Sequence, residues 1–140
     1  MTYTDLITDA LRRVGIISET ETPSAEQGQA ALRVMNEMGA YWNANGIVLG
    51  YVPVTDPTDT LTLHPAYLEP IKNNLAVRLA ADYRIPPAAD IGMWAKEGLD
   101  FLRRESMVAQ IKSVNLYHLP FARRPPAAGW LFLSGTTIAP

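Results

Sequence analysis

A mainly α-helical fold is predicted for this chain: a small helical bundle with a short hairpin-like or extended connection and an extended C-terminal arm. Three features predict it. Apolar residues recur every three or four positions in four separate stretches, capping and turn residues punctuate those stretches, and prolines crowd the last quarter of the sequence. At 140 residues with 48% hydrophobic side chains, the chain has the size and apolar content of one domain with an ordinary core. Residues 1–110 are the expected helical core and residues 111–140 the expected arm.

The first stretch places Leu6, Ile7, Ala10, Leu11 and Val14 on one helical face, with Thr2 or Thr4 as N-cap and Gly15 as a left-handed C-cap. A second helix opens near Pro23, read as a first-turn proline, with Ser24 and Gln27 forming a capping box. Ala31, Leu32, Met35, Met38 and Trp42 follow at helical spacing, and Asn45-Gly46 ends the run. Gly28 and Gly39 inside this helix each cost about 1 kcal/mol against alanine, which points to close contact with another helix.

The helical period then breaks. Ile47, Val48, Leu49, Tyr51 and Val52 favour extended backbone, and Pro53, Asp56, Pro57 and Asp59 are turn residues, so residues 47–54 and 60–64 could pair as a hairpin. A third helix carries Leu68, Ile71, Leu75, Leu79 and Tyr83, with Pro65 or Pro70 expected in its first turn because an interior proline removes a backbone hydrogen bond. Ile85-Pro86-Pro87 stops it. A fourth runs from about Ala88 to Ala109, with Ile91, Trp94, Ala95, Leu99, Leu102 and Glu105 on successive turns. Beyond Ile111, Pro120, Pro125, Pro126 and Gly129 forbid a continuous helix and leave extended or polyproline-like backbone.

Composition removes several classes of function. There is no cysteine, hence no disulfide, thiol nucleophile or Cys-bound zinc. The N-terminus lacks a basic leader with an apolar core, so synthesis and retention in a cytoplasm are expected, and the apolar tail is too short and interrupted for the roughly 20 apolar residues of a membrane span. A net charge of −2 argues against a protein that grips nucleic acid by neutralising phosphates. The charge is lopsided, about −5 over residues 1–60 and +3 over residues 61–140, and no acid follows Ser106. Such a dipolar chain suits pairing with an unlike surface, although solvated charge explains it equally well.

The sequence offers little for catalysis. His64 and His118 stand apart at element boundaries, outside any zinc motif, and read as capping or surface histidines. Glu69, Asp82, Glu97 and Asp100 could supply paired carboxylates for glycoside hydrolysis, but they fall beside Lys72, Lys96 and Arg104 as solvated helix-face charges do. The glycines form no phosphate-cradling loop, and no cofactor or metal is implied. Tyr41, Trp42 and Trp94 read as core or interface aromatics rather than base-stacking platforms. Arg123-Arg124 is a small footprint for DNA and a better docking pair for a protein surface.

Three stretches together, "LITDALRRVGIIS", "MNEMGAYWNANGIVLGYV" and "NNLAVRLAADYRIPP", resemble the head-to-tail adaptor proteins of tailed phages, the tail accessory or packaged-DNA-stabilising type of short-tailed viruses. The resemblance spans roughly residues 4–105. Its most telling part is Tyr41-Trp42 passing through Asn45-Gly46 into the extended run Ile47 to Tyr51. It implies a structural virion protein without enzymatic activity, made in the host cytoplasm and placed in the neck of the particle. Copies, twelve in the relatives, would ring the DNA channel below the portal and receive the next tail or nozzle protein, with genomic DNA only passing through the lumen and no membrane involved.

Within that reading the arm would bind the portal through Phe121, Arg123, Arg124, Trp130, Leu131, Phe132 and Leu133. Tyr41, Trp42, Ile47, Val48, Leu49 and Tyr51 would form a subunit or tail interface. The apolar run 130–133 between Gly129 and Ser134-Gly135 suits an exposed sheet edge or groove, and it could also fold back on its own bundle. Two other functions compete: a cell-wall glycoside hydrolase using the helical carboxylates, opposed by the lack of an acid in an apolar context, and a small DNA-binding module, opposed by the acidic balance.

Overall fold

A computed structural model describes residues 1–113, which form four helices and, among the described residues, no strand. They are α1 (Tyr3–Val14), α2 (Ala25–Ala44), α3 (Pro65–Asp82) and α4 (Ala89–Ser113). Met1–Val108 form one compact unit; of the second unit, Ala109–Pro140, the first five residues are described, and they continue α4.

The first three helices start where a capping side chain satisfies a free N–H group. Thr2 caps α1 in a reciprocal box with Asp5, whose N–H donates to Thr2 Oγ1 at 3.2 Å while the Thr2 N–H donates to Asp5 Oδ2 at 2.7 Å. Gly15 closes α1 at φ 77°, a left-handed cap that costs glycine nothing. Ser24 and Gln27 make the second box, so Pro23 lies outside α2 rather than in its first turn. His64 is the N-cap of α3, its Nδ1 accepting from the Ala66 N–H at 3.2 Å, and Pro65 takes the first helical position.

Helix α3 is the centre of the core. Ile71, Asn73, Leu75, Ala76, Leu79 and Ala80 are buried on several of its faces, as expected for a helix with neighbours on more than one side. Leu6, Ile7, Ala10 and Leu11 of α1, Leu32, Met35, Met38 and Trp42 of α2, and Ile91 and Leu102 of α4 complete the core. Two polar links fix α1 on α3: Arg13 pairs with Glu69 at 2.7 Å while also donating to the buried Asn73 amide oxygen, and Lys72 pairs with Asp9 at 2.8 Å.

Pro70 departs from expectation, because it sits in the interior of α3 and the helix continues through it. Its buried ring faces Gly98, where an added Cβ would come within 2.9 Å of Pro70 Cα, so α3 and α4 approach closely at this point. Asn74 staples the same crossing, its Nδ2 donating to the carbonyls of Pro70 and Ala95, both at 2.9 Å. The close helix contact expected at Gly28 and Gly39 is therefore made by Gly98. Gly28 faces open space, and Gly39 makes room for the Tyr51 ring.

The segment between α2 and α3 is an extended connection, and the hairpin does not form. Its partner is α1 instead. Thr60 makes an isolated antiparallel bridge with Thr2, the Leu61 N–H donates to Met1 O at 3.1 Å, and the Tyr3 and Thr4 N–H groups donate to Asp59 O and Pro57 O. Two free N–H groups at the start of α1 thus find acceptors in the turn residues Pro57 and Asp59, which ties the connection to α1.

Candidate functional site

Glu69 and Glu97 line an open groove of about 400 Å³ between α3 and α4, together with Asn73, Trp94 and Phe101. Glu69 is mostly solvent-exposed and ion-paired with Arg13. A general acid for glycoside hydrolysis needs a carboxyl held away from water, and this one is hydrated and paired. Asp100 pairs with Arg103 on the same helix at 3.0 Å, and Lys72, expected beside the carboxylates of helices three and four, pairs with Asp9 of α1. Among the described residues no cluster of His, Asp or Glu could hold a metal ion, and no helix is long and apolar enough to cross a membrane.

The shifted ionisable groups follow from local bonding. Asp5 is held below the usual carboxylate range by the backbone and side-chain hydrogen bonds from Thr2, and Asp56 by the hydroxyl and N–H of Thr58. Tyr51 is pushed well above the ordinary tyrosine value by burial and then by its neighbour Tyr3. Its hydroxyl donates to Asn36 Oδ1 at 2.6 Å, and Asn36 in turn brackets the backbone of Val54, donating to its carbonyl and accepting from its N–H. These groups lock the connection onto α2.

The residues expected to form a subunit or tail interface divide in two. Trp42 is 4% exposed and Ile47 equally buried, so both belong to this chain's own core and are corrected from surface to core positions. Helical spacing places Trp42 beside Met35 and Met38, and the sharp turn at Gly46 (φ 80°) folds Ile47 back so that its N–H reaches Trp42 O. Leu49 and Tyr51 are half-buried against the core. Tyr41, 60% exposed with the Arg78 guanidinium 5.7 Å from its ring centre, and Val48, 51% exposed, remain on the surface. The arm residues Phe121, Arg123, Arg124, Trp130, Leu131, Phe132 and Leu133, with His118, lie outside the described residues.

Sequence reading missed an anchor and a face. Ser106 is buried; its hydroxyl donates to Gly46 O at 3.0 Å and accepts from the Val48 N–H at 2.7 Å, clamping α4 to the turn after α2. On the opposite side of α4, Met93, Met107 and Val108 are exposed, and Trp94, read from the sequence as a core or interface aromatic, is exposed on the flank. The signal was available: 93, 97, 100, 104 and 107 form a second stripe at spacing four and three, facing away from Ile91, Ala95 and Leu102.

Among the described residues, a helical core carries solvated charges and exposed apolar side chains on its surface. The sequence model of the P22 tail accessory factor family matches residues 1–121, and the chain belongs to that family. It is therefore a structural protein of the phage tail, associated with other virion components and located in the virion.

Proposed function

We propose that this protein is a head-to-tail adaptor: a ring, dodecameric as in the relatives, seated below the portal in the neck of the particle, extending the DNA channel and receiving the next tail or nozzle protein. The observation that carries this reading is the family match, which takes in all four helices and runs past them to residue 121. Residues 1–110 act as the ring-forming core. Residues 111–140 act as the arm, with Phe121, Arg123, Arg124 and the run Trp130 to Leu133 as the portal-binding groups. Tyr41 and Val48 are the surface residues offered to a neighbouring subunit or tail protein, supported from beneath by Leu49 and Tyr51. The protein performs no chemistry in this role, needs no cofactor, and meets DNA only as it passes through the lumen.

The portal acts as the template on which copies assemble. Size-exclusion chromatography of the purified chain with and without purified portal tests this: co-elution in a large complex only when portal is present is expected. A stable ring formed by the protein alone would overturn templating, and no co-elution would overturn portal attachment.

A further inference from the structure

Pro70, Gly98, Trp94 and Phe101 give the groove between α3 and α4 its apolar lining, and Trp94 keeps 45% of its surface exposed. Of the two carboxylates there, Glu69 is already neutralised by Arg13, whereas Glu97 has no ion-pair partner among the described residues. Asn73 also lines the groove and is only 3% exposed; its amide oxygen accepts from Arg13, and its NH2 group has no hydrogen-bond acceptor among the described residues. An occupant therefore has to bring a cation for Glu97, an acceptor for Asn73 and a rigid apolar group to lie on Trp94.

The stretch Arg124-Pro125-Pro126 of the arm carries that set. Arg124 supplies the cation, in a chain that holds no acid after Glu105. Prolines supply the rings that aromatic-lined grooves select, and a polyproline-like backbone leaves its carbonyls free to accept. We propose that the groove between α3 and α4 receives the Arg124-Pro125-Pro126 segment of a second copy, the next subunit of the ring assembled on the portal. This docking rests on the adaptor reading, because it needs copies held side by side. It assigns Arg124 to the neighbouring subunit and leaves Phe121, Arg123 and the run Trp130 to Leu133 to the portal. Successive side chains of an extended segment point to opposite sides, so two adjacent arginines can serve two surfaces. The stretch from Ser113 to Arg124 can span up to about 36 Å when extended, the diameter of a small domain, which is enough to reach the next subunit.

The chain has no native cysteine, so one can be placed on each side of the contact. Full-length chains carrying Glu97→Cys and Arg124→Cys are mixed, assembled on purified portal and treated with a short bismaleimide, which bridges the distance an Arg–Glu pair spans. A covalent dimer is expected from the mixture on portal, and not from either variant alone. Charge reversal gives a second readout: Glu97→Arg or Arg124→Glu alone should weaken assembly on portal about tenfold, and the chain carrying both should regain the parental level. Circular dichroism of each variant separates a lost contact from a lost fold. Assembly on portal without cross-linking, or a double reversal as weak as the singles in chains that remain helical, would overturn the docking and leave the adaptor reading standing. Failure of the parent chain to assemble on portal would overturn both. A chain carrying both cysteines that links internally without portal would place its own arm in the groove and overturn the second copy as occupant.

Discussion

Gly39 and Gly28 occupy the same helix and differ in what stands opposite. A side chain at 39 would collide with the Tyr51 ring, which cannot swing away because its hydroxyl is held by Asn36. Gly39→Ala should therefore destabilise the chain by about 1–3 kcal/mol through overpacking. Gly28→Ala, with nothing within 4 Å, should stabilise it by up to about 1 kcal/mol through helix propensity. Urea titration of the two variants against the parent checks both signs. Tyr51 also sets an alkaline limit. Burial raises its folded-state pKa above the unfolded value of about 10, so stability is fully present below about pH 10 and falls as pH rises beyond it, where only the unfolded tyrosine ionises. The urea midpoint should drop more steeply between pH 9.5 and about 11 for the parent than for Tyr51→Phe, with Tyr3, also shifted upward, supplying the remaining slope.

At the scale of elements, the connection between α2 and α3 is held at three places: by Asn36 of α2, which binds Tyr51 and Val54, by the start of α1, and by Ser106 of α4. Ser106→Ala removes the last of these. It should cost about 1 kcal/mol of stability and speed hydrogen exchange at the Val48 amide, leaving amides in the middle of α3 unchanged up to the global limit. The four helices, Thr2, Gly15 and the Ser24–Gln27 box were legible in the sequence, because apolar period and capping chemistry are local properties. The interior place of Pro70, and the choice between a hairpin and an extended connection, were not legible for one reason. Both turn on partners distant in sequence: Gly98 against Pro70, and the first turn of α1 for residues 57–61. Local propensity has no term for such neighbours. Trp42 and Ile47 show the same limit at the candidate site, since an aromatic followed by an extended run looks alike in the sequence whether it faces a partner or the chain's own core.

For the whole molecule, Met1–Val108 form a compact unit that ends before the proline-rich segment begins, and the adaptor reading assigns folding to that unit and attachment to the arm. A chain truncated after Pro120 should keep its helical circular dichroism and cooperative melting yet fail to join portal-bearing particles. Within the full-length arm, Trp130→Ala or Phe132→Ala should weaken attachment by about 2 kcal/mol or more, as buried aromatic anchors commonly do, while Arg123→Ala should act mainly at low salt. Portal pull-down at two salt concentrations reads out both. The family was legible from packing motifs in the first two-thirds of the chain, whereas the outer face of α4 was not, because reading it requires knowing which stripe of α4 the core has already taken. The most direct measurement is electron microscopy of purified portal mixed with the full-length protein. The adaptor reading predicts added density forming a closed ring coaxial with the channel at one end of the portal, and a portal that stays bare, or protein scattered over its outer wall without a ring, would contradict it.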